Sequence, residues 1–141
     1  MSNQYKLIDT HAHLDDPKFD KDRDEVIKKA LDAGLEKIIT IGCYQPTKPF
    51  KTVIDLAERC DCIYVSLGVH PHEAASANKE VLYEIKELAK HPKVIAIGEA
   101  GLDYHYEYTP KDVQKKVFVD YIQLARELNL PLSIHSREAQ V

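Results

Sequence analysis

His11 and His13 stand one residue apart, just after the apolar pair Leu7–Ile8. Side chains on a strand alternate between faces, so residues i and i+2 project to the same side. Two imidazoles presented in this way can share one centre, and neutral imidazole nitrogen is a ligand for zinc and similar divalent ions. On a wet loop the same pair would simply be solvated. Glu99 ends a second apolar run, Val94–Ile95–Ala96–Ile97–Gly98. A carboxylate there needs a partner: one metal ion, a pair of ions about 3.5–4 Å apart that it bridges, or a buried Arg or Lys. His135 closes a third run, Leu132–Ser133–Ile134, either as a ligand or as a hydrogen-bonded core residue. Taken together, the three observations predict a metal centre built by His11, His13, Glu99 and His135 from separate strand ends.

Other polar residues lie beside these. His70-Pro71-His72-Glu73 follows the run Ile63–Val69, and Pro71 stiffens it. These two histidines suit hydrogen bonding to a phosphate or carbonyl oxygen of a substrate, or else a rigid turn that caps a helix. Tyr104, His105, Tyr106 and Tyr108 form an aromatic cluster, of the type that stacks on bases or packs the rim of a fold. Lys111, Lys115 and Lys116 read as a solvated helix face.

The elements that must position these residues alternate. Strand-like runs occur at Lys6–Ile8, Glu36–Gly42, Cys62–Val69, Val94–Glu99 and Leu130–His135. Short, nearly continuous apolar runs suit strands buried on both faces of a parallel sheet. Between them lie amphipathic stretches. Asp24–Ala33 is closed by Gly34, Lys48–Arg59 follows, and Lys79–Lys90 is closed by Pro92. Pro110–Leu128 has Pro110 at a first-turn position and Val113, Val117, Tyr121, Leu124 and Leu128 as its stripe. A β-α-β-α order implies parallel strands with right-handed crossovers. No G-x-G-x-x-G follows the first strand, and no phosphate-binding P-loop is present. Polar residues instead sit at many strand ends (His11 and His13, His70 and His72, Glu99 and Asp103, His135), which is the pattern of a (β/α)8 TIM-type barrel. A doubly wound sheet concentrates its site at one crevice. A complete barrel takes about 250 residues and this chain has 141. It therefore reads as the first five β/α units, residues 1–141 being the N-terminal part of a single barrel domain. Strands one and five then lack neighbours, which leaves open an inert fragment, a partner-dependent half or a self-associating, swapped oligomer.

Composition restricts the class of partner. The chain is 44% hydrophobic and 30% charged, ordinary for a soluble protein, and no apolar run approaches the roughly 18 residues of a membrane span. Met1–Lys6 lacks the apolar core of a signal peptide. Cys43, Cys60 and Cys62 are odd in number and match no metal-ligand or redox spacing, so they read as reduced thiols of a cytoplasmic protein. A net charge of -4 argues against nucleic-acid binding through Lys and Arg alone. It leaves room for positive charge carried by bound metal.

Four segments carry a family resemblance: IDTHAHLDDPKFD (Ile8–Asp20), LGVHPHE (Leu67–Glu73), IGEAGLDYHY (Ile97–Tyr106) and PLSIHSREA (Pro131–Ala139). In order and spacing the chain resembles the TatD-like metal-dependent deoxyribonucleases, a branch of the amidohydrolase superfamily. The resemblance implies a (β/α)8 barrel holding one or two divalent ions, of which Mg, Mn and Zn all suit such ligands. It implies that His11 and His13 hold the first ion, that Glu99 bridges both, and that His135 binds the second. It places His70 and His72, with Arg137, against substrate phosphate, and Glu99 at the catalytic centre. It also implies a further histidine ligand after a sixth strand and an aspartate after an eighth, both beyond Val141. The implied activity is hydrolysis of DNA phosphodiester bonds from a strand end. Two alternatives stay open: hydrolysis of a small amide, lactone or phosphotriester on the same scaffold, and an inactive fragment. Related amidohydrolases often carry a carboxylated lysine at the fourth strand, and Glu99 in its place favours the nuclease branch.

Overall fold

The computed structural model describes residues 6–140. Met1–Tyr5, read above for want of an apolar core, lies outside the described residues. The elements run β1 (Leu7–Ala12), α1 (Arg23–Asp32), β2 (Leu35–Cys43), α2 (Lys51–Arg59), β3 (Ile63–Gly68), α3 (Lys79–Leu88), β4 (Val94–Asp103), α4 (Lys111–Leu128) and β5 (Leu132–Arg137). Each strand pairs in parallel with the next, giving the sheet order β1-β2-β3-β4-β5. A sheet that never reverses its order, with a helix between successive strands from β1 to β5, is the wall of a (β/α) barrel rather than a doubly wound sheet.

The core lies between this wall and the helices. Ile38, Ile63, Val65, Leu67, Val94 and Ile97 are buried on the central strands. They meet Val53, Ile54, Leu56 and Ala57 of α2, Val81 and Ile85 of α3, and Val117, Tyr121, Leu124 and Ala125 of α4. Asn78 caps α3 by accepting from the Val81 N–H (2.9 Å), which relieves an orphan donor of the first turn. Asn129 ends α4 in the left-handed region (φ 53°). Pro110 is the N-cap of α4 rather than part of its first turn. At the two edges of the sheet Leu7, Ile8 and Ile134 remain exposed.

Two strands extend further than their apolar runs. β4 continues past Glu99 to Asp103, and β5 runs to Arg137 instead of stopping at His135. Gly98 and Gly101 make the end of β4 read as a loop. Both have positive φ (130° and 155°), and a Cβ on Gly101 would lie 2.0 Å from the His135 carbonyl oxygen. Here glycine allows two backbones to approach so closely that Gly101 registers against His135 and Asp103 against Arg137. Gly101→Ala is therefore expected to cost about 3 kcal/mol in strain and overpacking and to push His135 out of place. An unchanged melting temperature would contradict this packing.

The cysteines depart from expectation. Cys60 and Cys62 are joined by a disulfide across the turn between α2 and β3, their Cα atoms 5.4 Å apart, within normal reach of such a bond. Only Cys43 is free among the described residues. The reading of three reduced thiols is thus corrected, and the cytoplasmic expectation loses that support. No described helix is long and apolar enough to cross a membrane.

Candidate metal centre

The C-terminal rim of the sheet collects the polar residues. His11 lies on β1 and His13 directly follows it. The backbone beyond His13 is fastened from three sides. The Leu14 N–H donates to Thr40 Oγ1 (3.1 Å), Arg23 Nε to the Leu14 carbonyl (2.5 Å), and Lys48 Nζ to the carbonyl and carboxylate of Asp15 (2.7 and 2.5 Å). These anchors fix the backbone that follows His13.

Glu99 stands between two groups of imidazoles. Its Oε2 lies 3.4 Å from His11 Nε2 and 3.8 Å from His13 Nε2. Its Oε1 lies 2.8 Å from His135 Nδ1, and that nitrogen is 3.2 Å from His70 Nε2. Two triads result, His11–His13–Glu99 and His70–Glu99–His135, each with ligand atoms within 4.8 Å of one another. One carboxylate oxygen faces each triad, as expected of a group bridging two ions.

Hydrogen bonds set the ring tautomers. The His72 backbone N–H donates to His70 Nδ1 (3.2 Å), so the neutral His70 ring carries its proton on Nε2. Burial, then the neighbouring His135, pushes the His70 pKa down to about 4, against an opposing pull from Glu99. His135 donates from Nε2 to Asp103 Oδ2 (3.0 Å), which leaves its Nδ1 as a lone pair aimed at Glu99. Two acceptors 2.8 Å apart repel unless a proton or a cation lies between them, so this donor set fits a divalent ion. Burial raises the Glu99 pKa, but the surrounding imidazoles of His135, His70 and His11 outweigh it and hold the carboxyl below its usual range. Glu99 is thereby kept as the carboxylate that a metal requires.

Asp103 organises the other side of the rings. It is fully buried and accepts four hydrogen bonds. Oδ2 takes His72 Nε2 (2.9 Å) and His135 Nε2 (3.0 Å). Oδ1 takes the backbone N–H groups of His105 and Tyr106 (3.1 Å each). Gln114 of α4 grips both backbone groups of Asp103, accepting its N–H (2.8 Å) and donating to its carbonyl (2.9 Å). Burial raises the Asp103 pKa, but the Tyr106 N–H and the two imidazoles more than reverse this and hold it well below the usual carboxylate range.

Of the four residues expected around a common centre, the structure places His11 and His13 on one side of Glu99 and His135 on the other, in two triads that share Glu99. It adds His70, expected at the substrate, to the second triad, and turns His72 onto Asp103. Arg137 projects from β5 with its guanidinium 4.7 Å from the Tyr106 ring. In the sequence Asp103 is a polar strand-end residue with no part of its own. Its signal was its i+4 offset from Glu99 beyond the glycines, which only the extended β4 turns into a position.

The family model described as TatD related DNase matches residues 8–141. The chain belongs to the TatD-related DNase family. It is 47% identical over 133 residues to a metal-dependent hydrolase, YabD, of Bacillus subtilis, covering 94% of this chain and 51% of that protein. It is 39% identical over 134 residues to a 3'-5' ssDNA/RNA exonuclease TatD of Rahnella sp., covering 94% and 50%. Among solved structures, the TatD homologue YjjV of Escherichia coli superposes with a TM-score of 0.84 at 31% identity, over 94% of this chain and 51% of that one. An organophosphorus hydrolase from Deinococcus radiodurans shares the fold at 14% identity with a TM-score of 0.62, over 97% and 51%. The chain spans about half the length of the curated relatives it matches. The TatD resemblance carried by the four segments is borne out, and so is the TIM-barrel architecture.

Proposed function

We propose that this chain supplies the first five β/α units of a single barrel domain that hydrolyses phosphodiester bonds of DNA with divalent metal, acting as an exonuclease. The observation that carries this is the split of Glu99, one carboxylate oxygen toward His11 and His13 and the other toward His135. His11, His13 and Glu99 would hold one ion, and Glu99 and His135 a second. A divalent ion, when bound, supplies Lewis acidity toward water and phosphate and offsets negative charge. That chemistry suits a protein of net charge -4 handling a polyanion. His70, neutral and with its proton on Nε2, is set to donate to a phosphate oxygen rather than to ligate. Asp103 holds His135 in the tautomer that leaves Nδ1 free, the carboxylate–histidine support typical of metal sites. Arg137, at the open rim, adds positive charge for phosphate. Relatives named as 3'-5' ssDNA/RNA exonucleases support a single-stranded substrate cut from its 3' end.

The test is a substrate panel with Mg, Mn or Zn: single-stranded DNA labelled at its 5' end, a lactone and an N-acyl amino acid. Progressive shortening of the DNA that stops on adding a chelator is expected. Turnover of the lactone or amide with intact DNA would overturn the proposal.

A further inference from the structure

Beyond the metal centre, the segment after β4 presents an aromatic surface that metal chemistry does not use. Tyr106 and Tyr108 lie parallel, their planes 2° apart and their centroids 5.4 Å apart. Both are exposed, Tyr108 to 68%. The His72 ring stands perpendicular to both, 5.6 Å from Tyr106 and 4.8 Å from Tyr108. His105 meets Tyr106 edge-on at 4.5 Å, and the Arg137 guanidinium lies 4.7 Å from the same ring. Tyr106 thus touches His72, His105, Arg137 and its stacked neighbour, while Tyr108 is the more exposed end of the stack. Asp103 fixes the base of the assembly through the backbone N–H groups of His105 and Tyr106 and through His72 Nε2.

We propose that Tyr108, backed by Tyr106, is a stacking platform for a nucleobase of single-stranded nucleic acid, next to the scissile phosphate. The proposal presupposes the phosphodiester hydrolysis inferred above and names a subsite for it. Three features specify this ligand. The platform is flat and aromatic, and every base has a π-face to set against it, which suits a sequence-tolerant enzyme. Arg137 lies within the same cluster and Glu138 beside it on His105, so base stacking rather than net charge supplies the affinity. His72 forms the wall between platform and metal centre, since its ring centroid is also 4.3 Å from that of His70, a member of the second triad. A phosphate at that triad places its adjoining base on the Tyr108 side of His72.

Removing one base-stacking ring typically weakens binding by about tenfold. Tyr108→Ala is expected to raise KM for a single-stranded oligonucleotide by about that factor, with the loss mainly in KM rather than kcat. Tyr108→Phe and Tyr108→Trp should retain wild-type KM, because either ring stacks. An oligonucleotide with an abasic residue at the cleaved end should bind wild type as weakly as the intact one binds Tyr108→Ala, and the mutation should then cost nothing further. Tyr83→Ala, which removes an equally exposed ring from α3, serves as the control with unchanged kinetics. Equal KM values for wild type and Tyr108→Ala would overturn the platform, as would an equal loss on intact and abasic substrates. Binding of the same oligonucleotides by fluorescence anisotropy separates this proposal from the one beneath it. Cleavage insensitive to Tyr108 contradicts the platform and leaves hydrolysis standing. Base-dependent binding that Tyr108→Ala weakens, without cleavage by either protein, contradicts hydrolysis and upholds the platform.

Discussion

Glu99→Gln is expected to remove one of two bound metal ions and to reduce hydrolysis by at least about 10³-fold, well beyond the roughly 10–100-fold loss that follows removal of a supporting residue. The substitution preserves shape but takes away the charge and one of the two acceptor oxygens. Since Oε2 faces His11 and His13 and Oε1 faces His135, a single amide oxygen can serve only one triad. The amide nitrogen is a donor that cannot ligate. Glu99→Ala should remove the bridge altogether and be at least as damaging. Without metal, either change relieves the close approach of the Glu99 carboxylate to the His135 lone pair, so the metal-free protein should remain folded. Metal content by elemental analysis, alongside thermal melting and turnover, separates these effects. Wild-type turnover in Glu99→Gln would remove Glu99 from the centre.

The second large effect is expected at Asp103. Its carboxylate is saturated by four donors, two imidazole and two backbone N–H groups, and a carboxylate offers about four acceptor positions. Asp103→Asn therefore does more than remove a charge. Whichever way the amide turns, its NH2 faces either His72 and His135 or the N–H groups of His105 and Tyr106. We expect metal affinity to fall by about 10–100-fold, nearly as far as in Asp103→Ala. A spectroscopic readout separates positioning from general damage. In wild type, the 15N shifts of His135 should report a proton on Nε2 and an unprotonated Nδ1. In Asp103→Asn the ring should populate the other tautomer while the fold, followed by circular dichroism, persists. A His135 ring that keeps its wild-type tautomer in the variant would deny Asp103 this part.

Much of this was legible before any coordinates. His11 and His13 could be paired because strand periodicity puts i and i+2 on one face. Glu99 and His135 stood out because polar groups capping apolar runs must find partners. The alternation of strands and helices, with chemistry spread over many strand ends, was enough for the barrel. The remainder depended on distances that no local pattern encodes. The part played by Asp103 was hidden, because Gly98 and Gly101 break the apolar run and only pairing with β5 shows that the strand continues to Asp103. His70 joined the second triad only because the turn after β3 and the end of β5 bring their rings together across the intervening β4. The Cys60–Cys62 bond, with one residue between its partners, follows no spacing rule that separates it from free thiols. The stacking of Tyr106 on Tyr108 required the backbone path after β4, although the aromatic cluster itself was visible.

The most direct test of the central claim is a crystal of this protein soaked with manganese, with the ions located by anomalous scattering. Two peaks about 3.5–4 Å apart are predicted, one on each side of the Glu99 carboxylate, the first against His11 and His13 and the second against His135. Peaks elsewhere, or none within ligand distance of Glu99, would contradict the assignment of this rim as a two-ion centre.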